Sequence, residues 1–154
     1  MAINWVIYGK FKLDQMINTN ICNLAAGGNT VKVMLANSNY SPAANTDQYL
    51  TTPQASEVAN GSSYTAGGVT ISATQTCTLA SNVVTYTNSN ANVITWAQDA
   101  NTGFSNAIIA VLYMSTGTAA NSPLIAYANL GSNQTITTGS LTLQLDANGI
   151  FTLT

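Results

Sequence analysis

Asn106-Ala-Ile-Ile-Ala-Val-Leu-Tyr-Met114 is the stretch of sequence from which the fold is predicted. Its seven central residues are all apolar or aromatic, and three of them are β-branched. The run is too short to cross a bilayer, and it is too continuous for a strand with one face in water. A strand that is covered on both faces fits it better. We therefore expect the central strand of a β-sandwich or of a sheet under a second layer, with Ile109 and Val111, or Ile108 and Ala110, both buried.

Short strand patterns at roughly ten-residue spacing lie on both sides of this stretch, separated by turn residues such as Gly, Asn, Ser and Pro. They predict an all-β fold, a β-sandwich or barrel-like domain of about ten short strands with at most one short helix. Gly131-Ser132-Asn133 is predicted to separate two strands, and Asp146-Ala147-Asn148-Gly149 to form a hairpin turn. The predicted strands are Ile3–Tyr8, Val31–Leu35, Val69–Ser72, Gln75–Ala80, Val83–Thr87, Val93–Ala97, Ala107–Met114, Leu124–Leu130, Thr135–Thr138, Leu141–Asp146 and Ile150–Leu153.

The first part of the chain, residues 1–30, is predicted to be an N-terminal arm or edge segment. Within it, Phe11–Leu24 has two interpretations. One is a helix that Gly27-Gly28 stops, and the other is a pair of short strands, because the segment contains several Asn and Thr residues that disfavour helix. On the helical interpretation, five apolar residues share one face: Leu13, Met16, Ile17, Ile21 and Leu24.

A long loop rich in Asn, Ser and Thr occupies residues 36–66. Loops of this length tend to be binding or assembly elements, and the alternative is a packed excursion without a partner. The chain is thus predicted to be a single β domain over 1–154, with its core at 31–154 and an assembly loop at 36–66.

Charged residues are scarce, since Asp, Glu, Lys and Arg make up 5% of the chain against about 25% in an average soluble protein. The chain has three lysines, no Arg and no His. Three lysines are too few for the phosphate contacts of a nucleic-acid-binding protein. Without His, a Ser-His-Asp or Cys-His site cannot form within the chain, and the commonest metal ligand is missing. We therefore predict a protein that is not an enzyme, with no catalytic residues, no cofactor and no metal ion.

Two patterns that could suggest catalysis have structural interpretations. Gly67-Gly68 lacks the Gly-Lys-Ser/Thr of a phosphate loop, so a turn before a strand is predicted. A carboxylate pair for glycoside hydrolysis could come from Asp47, Glu57, Asp99 and Asp146. Each of these lies in a turn or loop, where a carboxylate usually accepts local hydrogen bonds. We interpret them in that way.

Cysteine usage and the N-terminus indicate the compartment. Cys22 and Cys77 have no metal-ligand spacing, and we predict two buried, reduced thiols, with a disulfide as the alternative. The N-terminal sequence has no secretory signal pattern, and no stretch has the length of a transmembrane helix. The chain is therefore expected to be made in a cytosol and to have no membrane partner.

The second half of the chain has a characteristic order of strands and turns, in the segments Tyr64-Thr65-Ala66-Gly67-Gly68-Val69-Thr70, Val93-Ile94-Thr95-Trp96, Ala110-Val111-Leu112-Tyr113, Pro123–Gly131, Gly139 and Asp146–Leu153. This order resembles a family of small virion proteins of tailed bacteriophages, the capsid decoration or cement proteins. The similarity covers about Val31 to Thr154. Asn106 stands where the family commonly has a basic residue, and Asn129-Leu130-Gly131 stands where Asp-Phe-Gly is usual.

The resemblance implies a protein that binds the outer surface of an icosahedral shell of major capsid protein, stabilises that shell and associates as a trimer. The expected location is the outside of the virion capsid. A net charge of −2 gives little mutual repulsion, which also favours association. Lys10, Lys12 and Lys32 are the only cations, and exposed ion pairs contribute about 0–1 kcal/mol each. Attachment is therefore predicted to use apolar contact and backbone or amide hydrogen bonds. The predicted partner-binding residues are Ile3, Trp5, Ile7, Tyr40, Tyr49 and Tyr64.

Two alternatives remain. A tail or fibre component is one, although the glycine-rich repeat or coiled-coil stalk expected for it is missing from the sequence. A carbohydrate-binding module is the other, with an aromatic residue such as Trp96, Tyr40, Tyr49 or Tyr64 stacking on a sugar. Trp96 and Tyr113 lie in predicted strands, where aromatic residues are more often part of the core.

Overall fold

The computed structural model describes residues 3–25, 27–59, 61, 63–71, 75–88, 93–97, 104–135, 140–144 and 150–153. Strands are the main regular structure of these residues and far exceed the helices, which confirms the predicted all-β fold. The strands are β1 Val6–Ile7, β2 Val31–Ala36, β3 Val69–Thr70, β4 Gln75–Ala80, β5 Val83–Asn88, β6 Val93–Trp96, β7 Ala107–Met114, β8 Leu124–Gln134, β9 Leu141–Gln144 and β10 Phe151–Leu153. The helices are α1 Gly9–Met16 and α2 Thr51–Gln54, with a 3-10 turn at Ala119–Asn121.

The strand β7 is the middle strand of a five-stranded antiparallel sheet with the order β1-β8-β7-β2-β3. Val111 pairs with Met34 on β2 and with Tyr127 on β8. Consecutive side chains of a strand point to opposite faces, and both Ala110 and Val111 are fully buried, as is nearly all of Ile109. The prediction of a central strand covered on both faces is therefore confirmed.

The strand β8 continues through the segment that was predicted to break it. The register with β7 shifts between the pairs Ile109↔Asn129 and Ala107↔Gln134. Between these pairs, Gly131 has a φ of +79°, and its amide donates a hydrogen bond of 2.7 Å to the Asn129 side chain. The predicted turn at residues 131–133 is therefore wrong, because the glycine forms a bulge in one strand.

Two smaller sheets complete the strand architecture of the described residues, with the orders β10-β5-β4 and β6-β9. Tyr86 on β5 stacks on Phe151 of β10, with ring centroids 5.2 Å apart. Trp96 on β6 meets Phe104 edge to face at 6.4 Å. These side chains belong to the same buried cluster as Val111, so residues of all three sheets share one core. The predicted hairpin turn at 146–149 lies outside the described residues.

The N-terminal arm contains a helix, and the helical interpretation is therefore correct for the first half of the segment Phe11–Leu24. The helix ends at Met16 and not at Gly27-Gly28. Asn18 adopts a left-handed conformation with a φ of +60°, and the Thr19 amide donates to the Asp14 carbonyl at 2.9 Å. This is a Schellman-type helix end, with Asn in the position that glycine usually takes.

The described residues of the loop at 36–66 pack against the sheet. An isolated bridge joins Ala36 to Glu57, and another joins Tyr49 to Pro123. Between them lies α2, a single helical turn. Among the described residues, α1 is the one helix longer than a single α-turn, in agreement with the prediction of at most one short helix. Whether the loop also contacts a partner stays a prediction.

The two cysteines are both free thiols, but they differ in exposure. Cys22 is buried, and Cys77 on β4 is exposed, so the prediction of two buried thiols is wrong for Cys77. β4 extends beyond the part of its sheet that the core covers, which leaves the Cys77 side chain at the surface. Burial, with a smaller contribution from Cys77, raises the pKa of the Cys22 thiol to about 12.

We expect one cysteine of the native protein to react with a thiol reagent at pH 8, and the second to react only on unfolding. Cys22 is both shielded and held in its unreactive protonated form, because the thiolate is the nucleophile. Absorbance with a disulfide reagent measures the two phases. The variant Cys77→Ser should lose the fast phase, and a fast phase that persists in this variant would contradict the assignment.

Candidate functional site

The outer face of α1 and the residues that follow it form the most apolar exposed surface among the described residues. Leu13 and Ile21 are 45% and 53% exposed, and Met16 and Ile17 are 85% and 57% exposed. We call these four side chains the arm surface. The inner face of the same helix buries Phe11 and the carboxylate of Asp14. The helix therefore buries Phe11 together with its acid and exposes Leu13 and Met16, whereas an ordinary surface helix turns its apolar residues inward and its charges outward.

Specific polar contacts hold α1 in this orientation. The Gln48 side-chain amide donates to Asp14 Oδ2 at 2.9 Å, and the Asn20 amide donates to the same oxygen at 2.9 Å. Asn20 also contacts the Tyr49 hydroxyl at 2.9 Å. Phe11 packs edge to face on Phe151 of β10, with centroids 6.3 Å apart. A buried carboxylate is stable only when it is hydrogen-bonded, so these amides determine which side of the helix faces inward.

The start of α1 is fixed to the core by a chain of hydroxyl groups. The Tyr8 hydroxyl lies 2.6 Å from the Tyr40 hydroxyl, which in turn donates to Asp47 at 2.9 Å. Burial raises the pKa of Tyr8 and of Tyr40 above the usual range, so both hydroxyls stay protonated at neutral pH. The Tyr8 amide also donates to the carbonyl of Ile125 on β8. The arm surface therefore rests on a rigid base.

The end of the arm surface is held against α1 by one side chain. Gln15 donates from its amide nitrogen to the Asn20 carbonyl at 3.2 Å and accepts from the Cys22 amide at 3.1 Å. Ile21 lies between these two residues, so its exposed side chain stays next to the helix.

Two cations flank the apolar residues. At 100° per residue, Lys10 and Lys12 fall on opposite sides of the face that carries Leu13 and Met16. Lys12 is exposed and Lys10 is half-buried. The only acid of the helix, Asp14, points inward to its amide partners. The arm surface is consequently apolar in its centre and positive at its edges.

The predicted partner-binding residues fall into two groups. Ile3, Tyr40 and Tyr64 are buried, so their side chains are not exposed for a partner and the prediction is corrected for these three. Each belongs to the core: for example, the Tyr64 hydroxyl accepts from the Leu35 amide at 3.1 Å and donates to Glu57 at 2.7 Å. The other three are partly exposed, and for them partner contact stays a prediction: Trp5, Ile7 and Tyr49.

Aromatic stacking on a sugar is not supported by the exposure of the aromatic residues that the sequence suggested. Trp96, Tyr40 and Tyr64 are buried, as is Tyr113. Tyr49 is partly exposed, but its hydroxyl already accepts a hydrogen bond from Asn20. Among the described residues, these aromatic rings do not form a flat platform at the surface.

The described carboxylates accept local hydrogen bonds, as their turn and loop positions predicted. Asp47 accepts from the Ala43 amide at 2.9 Å, and Glu57 accepts from the Gly67 amide at 2.6 Å. Asp99 and Asp146 lie outside the described residues. In the part of the chain that the structure describes, no group of three His, Cys, Asp or Glu residues could hold a metal ion.

Two open grooves lie elsewhere on the described surface. The larger, about 580 Å³, is lined mainly by Asn and Ser residues, with Glu57 as its ionisable side chain. The smaller, about 240 Å³, contains Lys32 and the Tyr113 hydroxyl, which donates to the Gly67 carbonyl at 2.7 Å. Both grooves are polar, whereas the arm surface exposes large apolar side chains, and we take the arm surface as the candidate site.

Comparison with known proteins finds no matching family model, no matching curated protein and no matching solved structure. The similarity to phage decoration proteins thus stays a prediction. No helix among the described residues has the length and apolarity needed to span a membrane.

Proposed function

We propose that this chain is a non-catalytic structural protein that attaches to the outer surface of a bacteriophage capsid shell and stabilises it. The observation that carries the proposal is the arm surface, where Leu13, Met16, Ile17 and Ile21 are exposed on α1 and on the segment that follows it, both held by hydrogen bonds to the body of the protein. Contiguous exposed apolar residues of this kind mark interaction surfaces. The order of strands and turns that resembles decoration proteins suggests the major capsid protein as the partner.

Apolar contact at the arm surface is strong enough to attach the protein. Burying one side chain such as Met16 or Ile17 contributes about 1.5–3 kcal/mol. An exposed ion pair contributes only about 0–1 kcal/mol, so Lys10 and Lys12 add orientation rather than affinity. Many copies seated on one shell then stabilise it through repeated contacts, each of which can be weak.

The lysines also favour a different protein over a second copy as the partner at this surface. Two copies that met through their arm surfaces would bring Lys10 and Lys12 of both chains together, which costs energy. A shell surface with an apolar centre and carboxylates at its edge would complement the arm surface instead.

We expect Met16→Gln and Ile17→Asn together to lower affinity for the shell about a hundredfold or more, because each removes apolar contact of about 1.5 kcal/mol or more. Shells assembled from the major capsid protein of the same head-gene cluster would be sedimented with each variant, and the bound fraction measured. Binding of the unchanged protein should survive 1 M NaCl, since apolar contact is not screened by salt.

Leu79→Gln is the matched control, because Leu79 is also an exposed apolar residue, 73% exposed, but lies on β4 and not on the arm. It should bind shells normally. Full binding by the Met16 and Ile17 variant, or release of the protein by salt alone, would refute the proposal. Deleting the residues before Gly9 is a poorer test, since it removes Ile3 and Tyr8 from the core.

A further inference from the structure

The strand β4 leaves a long sheet edge open. It is the last strand of the sheet β10-β5-β4, and no other described strand pairs with its outer edge. Its six residues pair with β5 in an uninterrupted register, from Gln75↔Asn88 to Ala80↔Val83. The side chains from Cys77 to Ala80 are exposed. Such an edge presents a row of unpaired backbone N–H and C=O groups.

Four usual protections of an edge strand are missing from the described residues of β4. Edge strands are commonly prevented from pairing with another chain by charged residues, proline, a bulge or very short length. Residues 75–88 contain no charged residue and no proline, and the pairing of β4 with β5 has no bulge. The edge strands of the five-stranded sheet, β1 and β3, are by contrast only two residues long each. β4 is therefore suited to pair with another strand.

An apolar row of side chains lies beside this edge. Leu79 on β4 pairs with Val84 on β5, which pairs with Leu153 on β10. Side chains two residues apart on a strand lie on the same face of the sheet. Val84 is two residues from Tyr86 and Leu153 is two residues from Phe151, so the row lies on the face on which those two rings are buried. Leu79 is 73% and Val84 36% exposed, so the apolar face of the sheet extends beyond the core that covers its other half.

We infer that β4 pairs antiparallel with β4 of a second copy of this chain, so that the two sheets join across a two-fold axis. An antiparallel strand pair is self-complementary, since each copy offers the same donors and acceptors to the other. The hairpin is uncharged, so two copies meet without repulsion, unlike at the arm surface. Leu79 of each copy then packs near the apolar row of the other.

This self-association is separate from shell attachment and does not depend on it. It uses β4 and not α1, so the two surfaces can be occupied at the same time. It also predicts a two-fold dimer, whereas the resemblance to decoration proteins implies a trimer. The mass of the dimer and the surface through which it forms can therefore be tested in solution without any shell.

Sedimentation velocity at high micromolar concentration should show a species of twice the 16.0 kDa monomer mass. Hydrogen exchange of the amides in β4 should slow as concentration rises, whereas exchange in α1 should not change. Edge pairing predicts this pattern because the outward amides of β4 gain acceptors only in the dimer.

Thr78→Lys is the decisive variant, because it places a charge on the open edge of β4. We expect it to raise the dimer dissociation constant about tenfold or more. Thr152→Lys is its control. Thr78 on β4 and Thr152 on β10 both pair with Thr85 on β5, so the two exposed side chains share one face of the sheet. Thr152 lies on the opposite edge strand, away from the open edge of β4. Leu79→Gln, which does not alter the edge, should weaken the dimer by removing its apolar contact and is a second test if Thr78→Lys fails to fold.

A monomer or a trimer at high concentration would overturn the inference. So would a dimer that neither Thr78→Lys nor Leu79→Gln weakens, or one that Thr152→Lys weakens as much as Thr78→Lys. Met16→Gln should leave the dimer unchanged. A dimeric protein that fails to bind shells would refute shell attachment alone, and a monomer that binds shells would refute edge pairing alone.

Discussion

Ile109→Ala should lower the free energy of unfolding by about 2–5 kcal/mol, because it leaves a cavity in the middle of the core. Ile109 is 4% exposed and lies on β7, between β2 and β8. Ile109 pairs with Ala36 on β2 and with Asn129 on β8, and close packing of its buried neighbours limits how far they can close the space that the side chain leaves. Urea unfolding measures the loss, and the melting temperature should fall by about 2–4 °C per kcal/mol in a chain of this size.

Ile108→Ala is the matched control on the same strand. Ile108 has the same side chain and the same neighbours along the chain, but it is only partly buried. We expect its substitution to cost about 1 kcal/mol, since less apolar area is lost. Equal losses at both positions, or an unchanged melting temperature for Ile109→Ala, would show that β7 is not packed as described.

The burial of β7 could be predicted from the sequence because its cause is local. A strand with two covered faces needs apolar residues at every position, and the run from Ala107 to Tyr113 meets that requirement without any knowledge of partners. The bulge at Gly131 could not be predicted in the same way. A glycine with neighbouring Ser and Asn indicates either a turn or a bulge, and only the register with β7 decides between them.

The orientation of α1 shows where periodicity misleads. The apolar spacing of Leu13, Met16 and Ile17 predicts that these residues face the core, yet all three are exposed. Phe11 and Asp14, three residues apart, form the inner face instead. The reason lies elsewhere in the chain, because Gln48 supplies the amide that lets a carboxylate be buried. A pattern of apolar residues contains no information about such a partner.

The burial of two predicted contact residues also depends on the hydrogen-bond partners of their hydroxyl groups. Tyr40 and Tyr64 lie in a polar segment, which suggested that they are accessible. Their hydroxyls are satisfied by Asp47 and Glu57, so both rings can be buried. The sequence does contain one sign of this arrangement, since each tyrosine is seven residues from its carboxylate.

The turn before β3 limits substitution more strictly than its glycine content alone suggests. Gly68 has a φ of +72°, and a Cβ at this position would overlap the backbone carbonyl of Val33 on β2. That carbonyl belongs to a strand paired on both sides, with Leu112 on β7 and Val69 on β3. It therefore cannot move away without breaking the sheet.

We expect Gly68→Ala to lower the free energy of unfolding by about 2–5 kcal/mol, of which about 1–2 kcal/mol is left-handed strain and about 1–3 kcal/mol is overpacking. Gly117→Ala separates the two causes. Gly117 has a φ of +86°, and a Cβ there would meet nothing within 4 Å, so only the strain remains. Denaturant unfolding of both variants gives the difference directly. If the two losses were equal, the close approach of Gly68 to Val33 would have no energetic consequence, and β3 would not lie as tightly on β2 as described.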